Sequence, residues 1–151
     1  MPKIDGIDIY RKTVLSTSCG AFSTSSAVFV DVTNLIVTYK ASGFKRVRIE
    51  LVPDLSGNPA FLFSARGPTA AGTSMYILCL NGVTEVGRQE IGISTAGLTN
   101  VDIEYPVGSV SYIDTAPVAG NNIYKIQMQA DGSAGDNGGI TFARLAVYEI
   151  D

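Results

Sequence analysis

Alternation of apolar and polar residues with a period of two is the sequence feature that most constrains this fold. In residues 46–52 (RVRIELV), three apolar side chains alternate with three charged ones, and YKIQMQ (124–129) and VDIEY (101–105) repeat the pattern. Successive side chains of a strand point to opposite faces, so this pattern predicts half-buried antiparallel strands. The predicted inward residues are Val47, Ile49, Leu51, Val101, Ile103, Tyr105, Tyr124, Ile126 and Met128.

Other runs are apolar at consecutive positions, which predicts strands buried on both faces by a second sheet or by a neighbouring subunit. Thr33 and Asn34 are predicted to separate the first two of these strands. The runs are residues 27–32, 35–39, 60–65, 75–80 and 141–150.

Turn residues separate the predicted strands. Asn81-Gly82 predicts a type I′ hairpin, because both residues tolerate positive φ. Pro53, Pro59 and Pro68 mark a loop-rich middle, and residues 131–139 (DGSAGDNGG) predict a flexible connection. Roughly eight to ten strands and no long helix predict an all-β fold, an antiparallel β-sandwich with jelly-roll-like Greek-key topology.

The first twenty residues differ from the rest of the chain, so we divide it into residues 1–20 and a sandwich domain of residues 21–151. The IDGIDIY segment alternates weakly and is followed by a Ser/Thr-rich stretch. It is either the first strand of the sandwich or an arm that pairs with another chain. As an arm, its candidate contact residues are Ile4, Ile7, Ile9 and Tyr10.

Composition argues against several classes of function. The chain has no histidine, which removes the commonest general base and zinc ligand, and we expect neither catalysis, nor a metal, nor a cofactor. A net charge of −3 argues against nucleic acid as a partner, and the basic residues of KRVR (45–48) alternate along one strand face. Cys79 is expected to be a buried free thiol.

Nothing in the sequence points to a membrane or to export. No apolar run reaches the roughly 18 residues that a membrane helix needs. The first twelve residues lack the apolar stretch of a signal peptide, so we expect synthesis in a cytoplasm.

Residues 111–129, SYIDTAPVAGNNIYKIQMQ, predict a corner between sheets. Asp114 is expected to end a strand by accepting backbone N–H groups, and Pro117 prevents a central strand from continuing. Gly120 permits a sharp bend. Tyr124 then returns to the core, where its hydroxyl is expected to bond upstream backbone, as a tyrosine does in immunoglobulin-like sandwiches.

Three segments resemble small β-sandwich proteins of tailed-phage virions. They are residues 21–52, residues 110–126 (VSYID, then AG, then YKI) and residues 145–150 (LAVYEI). Within that group the chain is most similar to head decoration, or cement, proteins. The resemblance implies a homotrimer, made in the host cytoplasm, that binds the major capsid protein at the surface of the virion and stabilises the head. It assigns no individual contact residue.

Two other readings remain open. A receptor- or glycan-binding module of a phage tail or baseplate would use the same fold, and should expose an aromatic or acidic pocket in its loops. A cement protein should instead present apolar patches and a protruding arm. A bacterial C1q- or TNF-like module would share the trimeric jelly-roll architecture.

Overall fold

The computed structural model describes residues 3–4, 7–8, 14–66, 73–93, 102–130 and 136–151, and these form an all-β, antiparallel sandwich, as predicted. Among these residues, no helix has the length and apolar character needed to cross a membrane. The strands are β1 Lys3–Ile4, β2 Ile7–Asp8, β3 Leu15–Ser18, β4 Ala21–Thr24, β5 Val30–Ala41, β6 Arg46–Pro53, β7 Phe61–Arg66, β8 Thr73–Asn81, β9 Thr84–Ile93, β10 Asp102–Val107, β11 Val110–Asp114, β12 Gly120–Ala130, β13 Asn137–Thr141 and β14 Ala143–Ile150.

These strands outnumber the predicted eight to ten because several are only two to five residues long. Three four-stranded sheets have the orders β5-β12-β8-β9, β11-β6-β14-β3 and β10-β7-β13-β4, and β1 pairs with β2. In each four-stranded sheet every inner strand has at least one neighbour distant in sequence, as Greek-key connections require. One buried core receives side chains from all three of these sheets.

The period-two pattern places the core faces correctly on two central strands. Val47, Ile49 and Leu51 of β6 are fully buried, as are Tyr124, Ile126 and Met128 of β12. On β10 the pattern is weaker, because among the described strands this edge strand pairs with β7 alone. Ile103 is half-buried and Tyr105 is exposed, whereas Val101 lies outside the described residues.

The predicted break at Thr33-Asn34 is wrong, because β5 continues through it as one twelve-residue strand. Asn34 has a φ of 65°, and the register of β5 against β12 shifts there. Between Lys125↔Ile36 and Gln127↔Asp31, two steps along β12 face five along β5, so β5 accommodates three extra residues without ending. This bulge allows Val32 and Leu35, which are three positions apart, to face the same core, where both are fully buried.

The predicted Asn81-Gly82 loop is also wrong by one position. Asn81 pairs with Thr84, so the two-residue turn is Gly82-Val83. Gly82 alone has positive φ, 60°, which is the pattern of a type II′ turn and not of type I′. The Asn81 side chain explains the shift, since its amide hydrogen-bonds two other strands and holds the residue in β8.

The flexible connection predicted for 131–139 is wrong at its C-terminal end, which belongs to a strand. Residues 131–135 lie outside the described part of the chain, but Asn137, Gly138 and Gly139 begin β13, between β7 and β4. A Cβ on Gly138 would lie 2.9 Å from Cγ of Met75, and one on Gly139 would lie 3.0 Å from the carbonyl oxygen of Phe22. These glycines therefore permit close packing within a central strand.

Apolar runs are buried on both faces in only some strands. Ile77 and Leu78 on β8 face opposite sides and are both buried, as are Leu145 and Ala146 on β14. In the runs 27–32 and 35–39 the prediction is wrong, because Val28 and Ile36 are exposed.

Candidate functional site

The end of the sandwich at which β5, β8 and β11 finish contains a polar network built on Asp114. Its Oδ1 accepts a hydrogen bond from the backbone N–H of Ala116 at 3.0 Å. Its Oδ2 accepts one from the hydroxyl of Tyr124 at 3.0 Å. The structure thus brings these two predicted corner residues together. The expected partner of the Tyr124 hydroxyl is wrong, since the bond is to a carboxylate and not to upstream backbone. The reason is that the strand ending at Asp114 places its side chain over β12.

Two asparagines extend the network. The side-chain amide of Asn81 donates to Oδ2 of Asp114 at 3.0 Å and to Oδ1 of Asn122 at 2.8 Å. The amide of Asn122 donates to the carbonyl oxygens of Val118, at 2.8 Å, and Gly120, at 3.0 Å. Asn122 is nearly fully buried, and the backbone N–H of Val118 donates to its Oδ1 at 3.3 Å. Neither asparagine was predicted to belong to a buried network; the buried parity of Asn122 on β12 was the available signal.

This network joins two sheets. Asp114 ends β11, whereas Asn81, Asn122 and Tyr124 lie on β8 and β12 of another sheet. Burial, together with the hydrogen bond to Asp114 and its negative charge, raises the pKa of Tyr124. The hydroxyl therefore remains a donor at ordinary pH, as the carboxylate requires.

The remaining corner residues shape the 115–119 turn. Pro117 is buried, and Gly120 has a φ of 103°, a conformation that a residue with a Cβ rarely adopts. The turn is therefore fixed by its own backbone as well as by Asn122.

Two neighbouring turns are attached to the same end. The backbone N–H of Gly82 donates to the carbonyl oxygen of Ile123 at 2.8 Å, which fixes the β8–β9 turn. In the β5–β6 turn, a Cβ on Gly43, where φ is 80°, would lie 2.7 Å from Cβ of Ala119. That turn is in direct contact with the corner, so three turns form one surface.

Each of the three turns exposes an apolar side chain. Phe44 and Val83 are each 96% exposed, and Val118 is 64% exposed. An isolated exposed apolar residue is ordinary, but three on adjoining turns make this end a candidate interaction surface. We call these three residues the apolar tips.

Charges beside the apolar tips are paired within the chain. The ammonium of Lys45 lies 2.7 Å from Oδ1 of Asp151, and the guanidinium of Arg46 donates to the backbone carbonyl of Asp151. Hydrogen bonds from the Ser42 side chain and from its backbone N–H to the carboxylate lower the pKa of Glu149. The surface around the tips therefore favours an uncharged, apolar partner surface over a charged one.

The predicted arm residues are placed only in part. The backbones of Ile4 and Ile7 pair with each other across β1 and β2. Ile9 and Tyr10 lie outside the described residues. Leu15–Ser18 is instead an edge strand of the sandwich, paired with β14.

No cluster of three or more potential metal ligands occurs among the residues that the structure describes. Cys19 and Cys79 are free and buried, as expected for Cys79. Burial, with a smaller effect of the Asp114 charge, raises the pKa of the Cys79 thiol to about 12. A thiol in this state is a poor nucleophile, because the thiolate is the reactive form.

Comparison with known proteins gives no family. No family model matches the chain, and no curated protein sequence matches it. Solved structures of infectious bursal disease virus show a partial likeness. A T13 viral particle of this virus is 12% identical, with a TM-score of 0.47 over 92% of this chain and 31% of that chain. A VP2 subviral particle is 13% identical, with a TM-score of 0.45 over 91% of this chain and 32% of that chain. The Gt strain is 14% identical, with a TM-score of 0.45 over 98% of this chain and 36% of that chain. This chain spans about a third of the length of those proteins, and likeness this slight says nothing of function.

Proposed function

We propose that this chain is a structural virion protein, a trimeric decoration protein that stabilises a phage head. The observation that carries the proposal is the set of apolar tips on three turns fixed to one another. Its second support is the resemblance of residues 21–52, 110–126 and 145–150 to phage decoration proteins.

The rigidity of the tips suits a docking role. Phe44, Val83 and Val118 lie on turns held by hydrogen bonds or close backbone contact, so little conformational freedom is lost on binding. A protein that binds only the assembled shell stabilises that shell by mass action. The tips can supply such binding energy, because each buries apolar area when it docks.

The trimer is supported by the outer face of the sheet β5-β12-β8-β9. Ile36 and Ile123 are each almost half exposed there, and the pairing of Ile36 with Lys125 places them diagonally across β5 and β12. A neighbouring copy that covered this face would remove both side chains from water.

The test is co-sedimentation of the full chain with empty shells of the virus that encodes it. Replacing Phe44 and Val118 by serine is expected to weaken the affinity for shells by at least about tenfold, which corresponds to about 1.4 kcal/mol of binding free energy. The matched control replaces Leu55 and Val28 by serine. These two side chains are 81% and 69% exposed, on turns at the other end of the sandwich. Equal loss in both variants would contradict docking through the tips.

Binding of the unsubstituted chain to shells decides whether it has a decoration role. Saturable binding to shells, with a raised melting temperature of the shell, would support the decoration role. Failure to bind shells, combined with binding to a host surface glycan, would overturn it in favour of the tail-module reading.

A further inference from the structure

The outer face of the sheet β11-β6-β14-β3 carries positive charge on a chain whose net charge is −3. Inward residues of β6 and β14 are fully buried, so the alternate positions face outward. The charged outward residues on these two strands are three arginines and one glutamate, a local charge of +2. They are Arg46, Arg48, Arg144 and Glu50. We call this surface the arginine face.

Glu50 is already engaged by two neighbours. Its Oε1 lies 3.5 Å from the guanidinium of Arg48, and its Oε2 accepts the hydroxyl of Tyr148 at 2.8 Å. Arg46 binds the backbone carbonyl of Asp151. The single carboxylate of the arginine face is thus shared between Arg48 and Tyr148.

Arg144 is left without an acceptor. Among the residues that the structure describes, its side chain has no ion pair and no hydrogen bond, and Nε is covered without a partner. Its neighbours in register are Ser18 on β3 and Val52 on β6, and neither carries charge. A covered polar group without a partner is uncommon and costly in native proteins, so the Arg144 guanidinium has donors that the chain leaves unused and that a partner seated on this face could engage.

We propose that the arginine face binds carboxylate groups of a partner protein, with Arg144 as the principal contact. A guanidinium offers parallel N–H donors that match a carboxylate in two hydrogen bonds. The exposed hydroxyls of Ser16 and Ser18, on the adjacent edge strand, add donors beside it. A charge of +2 over one sheet face is too small for a phosphate backbone, which favours side-chain carboxylates.

The inference rests on the proposed function for its partner, since an acidic patch on a capsid subunit would bring these carboxylates. It adds a second, electrostatic contact to the apolar tips. Electrostatic complementarity contributes orientation and association rate, whereas apolar contacts supply most of the binding energy.

The test titrates an octaglutamate peptide into the full chain and follows backbone amide resonances by NMR. Shifts are expected on β3 and β14, and Arg144→Ala is expected to weaken binding about tenfold. Arg144→Lys keeps the charge but loses the paired donors, so it should recover only part of the affinity. Melting curves of the variants verify that each is folded.

The matched control is Arg66→Ala, which removes the same charge from another sheet, where Arg66 pairs with Asp102. It should leave octaglutamate binding within about twofold. Equal weakening by both substitutions would reduce the effect to net charge and overturn the inference. Tighter binding of oligothymidylate than of octaglutamate at β14 would overturn the carboxylate assignment.

The peptide titration contains no shells, so the two proposals fail separately. If the chain binds octaglutamate through Arg144 but does not dock on shells, the arginine face is supported and the decoration role is overturned. Undiminished docking on shells by Arg144→Glu would overturn the arginine face as a docking contact and leave the decoration role supported.

Discussion

The hydroxyl of Tyr124 and the carboxylate of Asp114 form a hydrogen bond that joins two sheets of the sandwich. Tyr124 belongs to a central strand and is fully buried, whereas Asp114 ends an edge strand. Because the same carboxylate accepts Asn81 and the backbone of Ala116, this pair fixes the turn that carries Val118. The surface proposed for docking therefore depends on a buried hydrogen bond behind it.

Tyr124→Phe is expected to lower the free energy of unfolding by about 1–3 kcal/mol, because a buried hydrogen bond to a charged group is lost. The control is Tyr76→Phe, whose hydroxyl lies 3.4 Å from Glu90 at an exposed position and should contribute less than about 0.5 kcal/mol. Urea melts at neutral pH compare the two. Identical midpoints for Tyr124→Phe and the parent would show that the network does not stabilise this end.

Sequence reasoning finds the strands and their faces because alternation reports burial directly. It fails at Asn34, where a bulge keeps β5 continuous, since a bulge and a turn use the same residue types. It also fails at Gly138 and Gly139, whose role in close packing depends on Met75 and Phe22 far away in sequence.

For the same reason, only part of the candidate site could be predicted from the sequence. Asp114 and Tyr124 stand out as a strand end and a re-entering aromatic, but Asn81 joins them only through the sheet topology. The apolar tips lie on three separate turns, and no local pattern relates Phe44 to Val83 or Val118.

Ile49→Asp is expected to cost several kcal/mol, comparable to the whole stability of a domain, because it buries a charge without a partner. The matched control is Ile113→Asp on β11 of the same sheet, where the side chain faces outward, is 37% exposed, and the same substitution leaves the carboxylate in water. The control should stay within about 1 kcal/mol of the parent. Circular dichroism and urea melts measure both, and similar losses would contradict the assignment of the two faces.

Gly139→Ala is expected to destabilise the fold by about 1–3 kcal/mol, because the added methyl group would meet Ser64 and the backbone of Phe22. Gly108→Ala is the control, since a Cβ there meets no atom within 4 Å and the φ of Gly108 is not positive. That variant should be neutral, or more stable by about 0.4–1 kcal/mol. Thermal melts decide the comparison, and a stable Gly139→Ala would contradict close packing at β13.

Stability should fall as the pH rises above about 9, the ordinary pKa of a cysteine thiol. The folded state keeps the Cys79 proton until about pH 12, whereas the unfolded chain releases it near 9, so between these values the unfolded state binds fewer protons. One such group lowers the free energy of unfolding by up to about 1.4 kcal/mol per pH unit. Burial also raises the pKa values of Tyr112 and Tyr124, which adds to the decline above pH 10.

Urea midpoints between pH 7 and 11 measure this decline, and Cys79→Ala serves as its control. The variant should lose stability less steeply above pH 9, although its stability at pH 7 is lower because a buried side chain is shortened. Parallel pH profiles for parent and variant would show that Cys79 does not contribute.

The last prediction concerns the arm and the trimer. The strands β1 and β2 pair only with each other among the described strands, and a two-stranded ladder of this length is marginal by itself. We expect the arm to be stabilised by a partner protein and the trimer by the sandwich. Deleting residues 1–12 should therefore leave a trimeric mass in light scattering and abolish co-sedimentation with shells. A monomeric full-length chain would contradict the trimer. Full docking after the deletion would place the contacts in the sandwich alone, at the apolar tips and the arginine face.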